Sequence, residues 1–146
     1  MAIDSTIAIR RGMLAIAKAD AALVAIVPAA RIYPQTTPAL PAFPFIRAGA
    51  LSVIPVRGAC LDGGNWIFAM HAFAKDRQVS GQIVETAEDY AGRIGAALAA
   101  ALDRHVIELS AGRATIRWDG SQLLMDPDEG GCFHAVVNFR VRAITG

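Results

Sequence analysis

The sequence predicts an α+β fold: an antiparallel sheet of about four to five strands with two main helices packed on one face. Three observations point there. The stretch Phe133 to Ile144 alternates apolar and polar side chains at the period of a strand. Ile83, Ala87, Tyr90, Ala91, Ile94, Leu98 and Leu102 recur at helical spacing. The order of segments is helix, two strands, long helix, then two or three strands. The 146 residues are one domain's worth, 1–146, and enough for a real core.

The elements follow in chain order. Asp4-Ser5-Thr6 offers N-cap oxygens for a first helix. Ile3, Ile7, Leu14, Ala17, Ala21 and Val24 form one stripe on it, and Ile9, Met13, Ile16 and Leu23 a second. So wide an apolar surface predicts contact on two sides, with the core and with a neighbour. Asp20 restarts the helix over Ala21 to Val27, and Pro28 stops it. Pro28, Pro34, Pro38, Pro41 and Pro44 punctuate a stiff surface connector, with Ile32-Tyr33 as a short strand inside it.

Phe45 to Val56 reads as a strand in which Gly49 and Pro55 mark an edge or a bulge. The turn Leu61-Asp62-Gly63-Gly64 leads into Asn65 to Lys75. Trp66, Phe68, Met70, Ala72 and Ala74 line one face of that strand; Ile67, His71, Phe73 and Lys75 line the other. Both faces are largely apolar, which predicts a central strand with little solvent on either side.

Residues 76–81 break the pattern and cap a helix over Gln82 to Asp103, whose far end is small all round from Gly95 to Ala101. Arg113 to Trp118 and Ser121 to Asp126 make a strand pair, or one bulged strand, around Asp119-Gly120. The acidic turn Asp126-Pro127-Asp128-Glu129-Gly130-Gly131 then enters the last strand. There Phe133, Ala135, Val137, Phe139, Val141 and Ala143 share one face, and His134, Asn138, Arg140 and Arg142 the other. One side of the sheet should pack on helices while the other stays wet or docks a partner.

Composition bounds the function. Hydrophobic residues are 54% and charged residues 18%, so the chain has few charges to cover its surface, as in a subunit that hides surface in a partner. Fourteen basic and 13 acidic residues leave a net charge of +1, which argues against a dedicated nucleic-acid binder. Arginine supplies all the basic residues but Lys18 and Lys75, and arginine suits planar, hydrogen-bonded interfaces. Cys60 and Cys132 read as free, partly buried thiols in a reducing compartment. Arg10-Arg11 before Gly12 to Ala17 mimics a twin-arginine signal, but Lys18 and Asp20 interrupt the apolar run. No run approaches the ~20 apolar residues of a membrane span. The chain reads as soluble and unprocessed.

Searches for chemistry fail in turn. His71, Cys132 and His134 could meet across strands, but a structural zinc site needs a fourth ligand, Cys60 or His105, and no metal-ligand spacing supports one. Asp126-x-Asp128-x-Gly130 opens like a calcium loop but runs straight into an apolar strand. No nucleophile elbow and no phosphate-binding glycine loop is present, and Gly63-Gly64 and Gly130-Gly131 lie between strands. No catalytic residue, cofactor or metal ligand is assigned. Trp118, near Arg113 and Arg117, is a candidate for exposure.

The order of the pieces resembles a known family. An amphipathic helix precedes Ala19-Asp20-Ala21-Ala22-Leu23-Val24-Ala25-Ile26-Val27. Arg31-Ile32-Tyr33-Pro34 and Leu40-Pro41-Ala42-Phe43-Pro44-Phe45-Ile46 follow, then Trp66 to Asp76 with an Ala-rich helix behind it. Asp126-Pro127-Asp128 and His134 to Val141 close the chain. This order resembles the phage tail completion, or tail terminator, family over nearly the whole chain.

The resemblance implies a structural virion protein: a hexameric ring that caps the tail tube, ends its polymerisation and joins tail to head. Gene transfer agents carry similar parts. Implied partners are further copies of the chain, the tail tube protein and a head–tail connector protein, with DNA only as cargo through the lumen and no membrane. The place implied is the head–tail junction of the virion, reached from the host cytoplasm during assembly. Candidate interface residues are Asp62, Gly63, Trp66, Asp126, Asp128, Glu129, Arg140 and Arg142. Two alternatives stay open: another connector ring (a stopper or adaptor), or a small cytosolic ligand-binding or enzymatic α+β domain.

Overall fold

A computed structural model describes residues 4–145. Among them the chain forms helices α1 (Thr6–Ala19), α2 (Ala21–Val24) and α3 (Ala87–Leu102), with one 3-10 turn at Ala29–Arg31. Eight strands accompany them: β1 (Ile32–Tyr33), β2 (Phe45–Gly58), β3 (Leu61–Ala74), β4 (Arg77–Val79), β5 (Gln82–Glu85), β6 (Val106–Leu109), β7 (Gly112–Met125) and β8 (Phe133–Thr145). Six make one sheet in the order β1-β2-β3-β8-β7-β6, antiparallel except for β1 on β2. The class is α+β, with six sheet strands where four to five were expected and a third, one-turn helix. Strands β4 and β5 form a separate hairpin.

The core lies between this sheet and the helices. Trp66, Phe68 and Met70 of β3 and Val137, Phe139 and Val141 of β8 meet Ile9, Met13 and Ala17 of α1 and Ile94, Leu98 and Leu102 of α3. The alternation read in the last strand is therefore the alternation that packs. On α1, Ile9, Met13, Leu14 and Ala17 face the core, while Ile7 is exposed. Ile3 lies outside the described residues. Gly12 admits Ile107 of β6 so closely that a Cβ there would meet its side chain at 2.8 Å. Asp20 caps α2 as expected, its Oδ1 accepting from the Leu23 N–H at 2.8 Å.

Local departures have identifiable causes. The β2–β3 turn is at Ala59-Cys60, so Asp62, Gly63 and Gly64 sit inside β3 rather than in the turn. There a side chain on Gly63 would collide with the Ala143 carbonyl oxygen of β8. Gln82–Glu85 is a strand, and α3 begins five residues later than Gln82, at Ala87. Ser80 and Gly81 take positive φ (53° and 79°), the two-residue turn that closes tight hairpins. β-Branched Ile83 and Val84 then suit a strand. Bulges fall between Ala48 and Leu51, around Gly49, and between Trp118 and Ser121, so β7 is one bulged strand. Strand β3 is central, but its outer face is open: Ile67 is 48% exposed.

Candidate assembly surfaces

The face of the sheet away from the helices carries three zones. At the end nearest the start of β7, the outward residues are Arg113, Thr115 and Arg117. On β8 they are Arg140, Arg142 and Ile144. Of these, Thr115, Arg117, Arg140 and Arg142 line a depression of about 500 Å³ together with Ile54 of β2 and Asn65 and Ile67 of β3. Arg117 stands directly opposite Arg140 in the ladder. Arg140 Nε donates to Asp119 Oδ2 at 2.9 Å, and Arg113 pairs with Glu108 at 3.4 Å. Ile54 is 61% exposed beside them.

Farther along the same face His71 and His134 meet across β3 and β8, His71 Nδ1 lying 2.6 Å from His134 Nε2. One nitrogen donates and the other accepts, so both rings cannot be protonated without placing two cations in contact. The His134 ring stacks on Phe73 at 4.3 Å, and Phe73 stacks on Phe45 at 4.8 Å. Burial, then the nearby His134 and Arg47, push His71 down to about 4; burial also lowers His134. Cys132 is buried against Phe45 and Phe73, and burial pushes its thiol up to about 11, so it stays protonated. Cys60 is exposed at the β2–β3 tip, eleven residues and roughly 36 Å along the strand from His71. Among the described residues no group of three or more Cys, His, Asp or Glu is placed to hold a metal ion.

The third zone is the acidic turn after β7. The Asp128 N–H donates to Asp126 Oδ1 at 2.9 Å, which shapes the turn, and Lys75 Nζ pairs with Glu129 at 2.7 Å. Met125, just before it, is 70% exposed but lies on the helix side, in register with Phe133. On the helix side, the small residues Gly92, Gly95, Ala96 and Ala99 of α3 leave a groove of about 480 Å³ against Trp118 and Leu123 of β7. Trp118 is exposed as anticipated, its Nε1 donating to Ser121 Oγ at 3.0 Å.

Of the sequence candidates, Arg140 and Arg142 share the arginine zone, and Asp126, Asp128 and Glu129 share the acidic turn. Asp62 and Gly63 lie at the distal end of β3, beside β8. Trp66 leaves the set as a surface residue. It is 1% exposed, its ring is core, and its Nε1 donates to Thr6 Oγ1 at 3.1 Å to tie α1 to the sheet. Arg117, Ile54, Ile67 and Met125 were missed. The exposed alternation of Arg113, Thr115 and Arg117 was the signal for the first of them. No helix among the described residues is long and apolar enough to cross a membrane.

The sheet is backed by helices on one face and leaves an open face that is charged and in part apolar. Residues 11–144 match the model of the family described as tail completion protein gp17, and the chain belongs to that family of phage tail structural proteins. A solved chain from the virion of a native gene transfer agent particle has the same fold. It is 18% identical with a TM-score of 0.74, over 92% of this chain and 93% of that one. A second solved chain is 15% identical with a TM-score of 0.57, covering 93% of each chain. No curated protein matches by sequence.

Proposed function

We propose that this chain is a structural, non-catalytic ring subunit that caps the end of a tail tube, stops its polymerisation and joins the tail to the head. The ring is a hexamer at the head–tail junction. Its partners are its own copies, the tube protein below and a connector protein above, with DNA passing through the lumen. The observation that carries this reading is the outer face of the sheet. Strands of 13 to 14 residues present exposed isoleucines beside arginines. A monomer gains nothing from so much apolar surface left in water; a ring subunit covers it.

The mechanism is steric and thermodynamic: one ring face matches the tube end, and the other offers no site for another tube subunit. The test is tube growth in vitro. Adding the protein to polymerising tube subunits should stop elongation at about one ring per tube end. Tubes that lengthen at an unchanged rate, with no protein bound at their ends, would contradict it.

A further inference from the structure

Past Trp118, strand β7 is an open edge of the sheet. Strand β6 pairs with it only from Gly112 to Thr115, His105 takes Ile116, and the Trp118 N–H donates to Asp103 Oδ1 at 2.8 Å. Among the described residues no strand pairs with the outer side of residues 121–125. Open edges are commonly blunted by proline, lysine or a bulge. The other open edge, β2 beyond Arg47, has both a bulge around Gly49 and Pro55. Residues 121–125, Ser-Gln-Leu-Leu-Met, hold no proline and no charge. Leu123 and Met125 project on the helix side, with the groove of α3 beside Leu123, and Leu124 projects on the open face. All three are exposed. The β4–β5 hairpin has the complementary need, two strands without a sheet. Residues 76–84 are all exposed, Val79, Ile83 and Val84 by half or more. Glu85 ties its root to α3 through Arg93, but no third strand adjoins it among the described residues. A two-stranded hairpin is marginal in water and is stabilised by a third strand.

We propose that strand β5 of one copy adds to the open edge of β7 in the next, at residues 121–125. Main-chain hydrogen bonds join the two strands. Side chains alternate along a strand, so of Ile83 and Val84 one enters the groove against Leu123 and the other lies beside Leu124 on the open face. Charge matching selects this occupant. Residues 78–84 are uncharged, like residues 121–125, and the groove's one charge, Asp103, is already taken by the Trp118 N–H and Arg104. Nothing here holds a phosphate or a charged segment, and an uncharged strand buries no charge without a partner. Hairpin and edge are different surfaces, so the contact is head-to-tail, the kind that repeats into a ring. A β7 edge paired with its own image closes at two copies and leaves the hairpin bare. This assignment rests on the ring reading and names a contact that joins its subunits.

Cross-linking in the full chain tests it, alone and with tube protein present. Cys60→Ser serves as background, since Cys60 is exposed and Cys132 buried. Chains with a cysteine at 82, 83 or 84 (Gln82→Cys, Ile83→Cys, Val84→Cys) are mixed with chains carrying Gln122→Cys, Leu123→Cys or Leu124→Cys and oxidised. The mixtures should give disulfide-linked dimers that neither chain gives alone. A chain carrying one change from each set should give a ladder of linked copies. Ile83→Lys with Val84→Lys should weaken self-association at least about tenfold by native mass spectrometry. Its circular dichroism and melting curve should match the wild type, because both side chains are exposed. Mixtures that do not cross-link, or a lysine variant that assembles like the wild type, would overturn the contact while leaving the ring intact. So would Leu124→Cys chains that link to each other or to tube protein instead of to the hairpin. A wild type that never assembles, even on tube ends, would overturn the ring reading and this contact with it.

Discussion

His71 and His134 hold one proton between two ring nitrogens, and that arrangement has a pH signature. Burial depresses His71 from an ordinary value near 6.5 to about 4, with His134 and Arg47 adding repulsion; Asp126 alone acts to raise His134. The unfolded chain therefore binds more protons than the folded one between those values, so folding stability is complete above about pH 6.5 and falls as pH drops towards 4. The rings are half-buried and water screens them, so the effect is of order 1–2 kcal/mol. His71→Gln should flatten the slope of melting temperature against pH in this window. An unchanged slope would show that the pair does not carry it. Trp66 supplies a second residue-scale outcome. Trp66→Phe removes the indole donor to Thr6 and part of the ring volume, and should cost about 2 kcal/mol in denaturant titrations. A loss below about 0.5 kcal/mol would mean that neither the bond nor the packing matters.

At the scale of elements, α3 is held at its start by two side chains. Thr86 Oγ1 accepts from the Asp89 N–H at 3.2 Å, and Asp76 Oδ1 reaches across the hairpin to accept from the Ala87 N–H at 2.7 Å. Thr86→Ala and Asp76→Ala should each cost about 1 kcal/mol, or about 3 °C in melting temperature. No change in either melt would place the start of α3 elsewhere. This helix also marks where sequence reading ran out. Ile83, Ala87 and Tyr90 keep helical spacing through the hairpin, so periodicity extended α3 back to Gln82. The positive φ of Ser80 that closes β4 on β5 leaves little trace in composition. Strand β6 went unread for a related reason: four residues, with only Ile107 buried, are too few to show a period. Strand β8 was legible because every second residue from Phe133 to Ala143 is apolar, with His134, Asn138, Arg140 and Arg142 between them. The candidate site divided in the same way. Arg140, Arg142 and the acidic turn stand out by charge, whereas Ile54 and Ile67 become surface only once the sheet shows which face the helices leave open.

Across the whole molecule, the helices cover one face of the sheet and leave the other exposed. Few charges and exposed isoleucines on that face support the proposal that the chain is a ring subunit. The family fixes the setting as a phage-type tail. The most direct test is the native mass of the purified chain, measured alone and with tail tube protein. The ring reading predicts about six subunits, either in solution or on the tube end. A strict monomer that ignores tube protein at high concentration would contradict it.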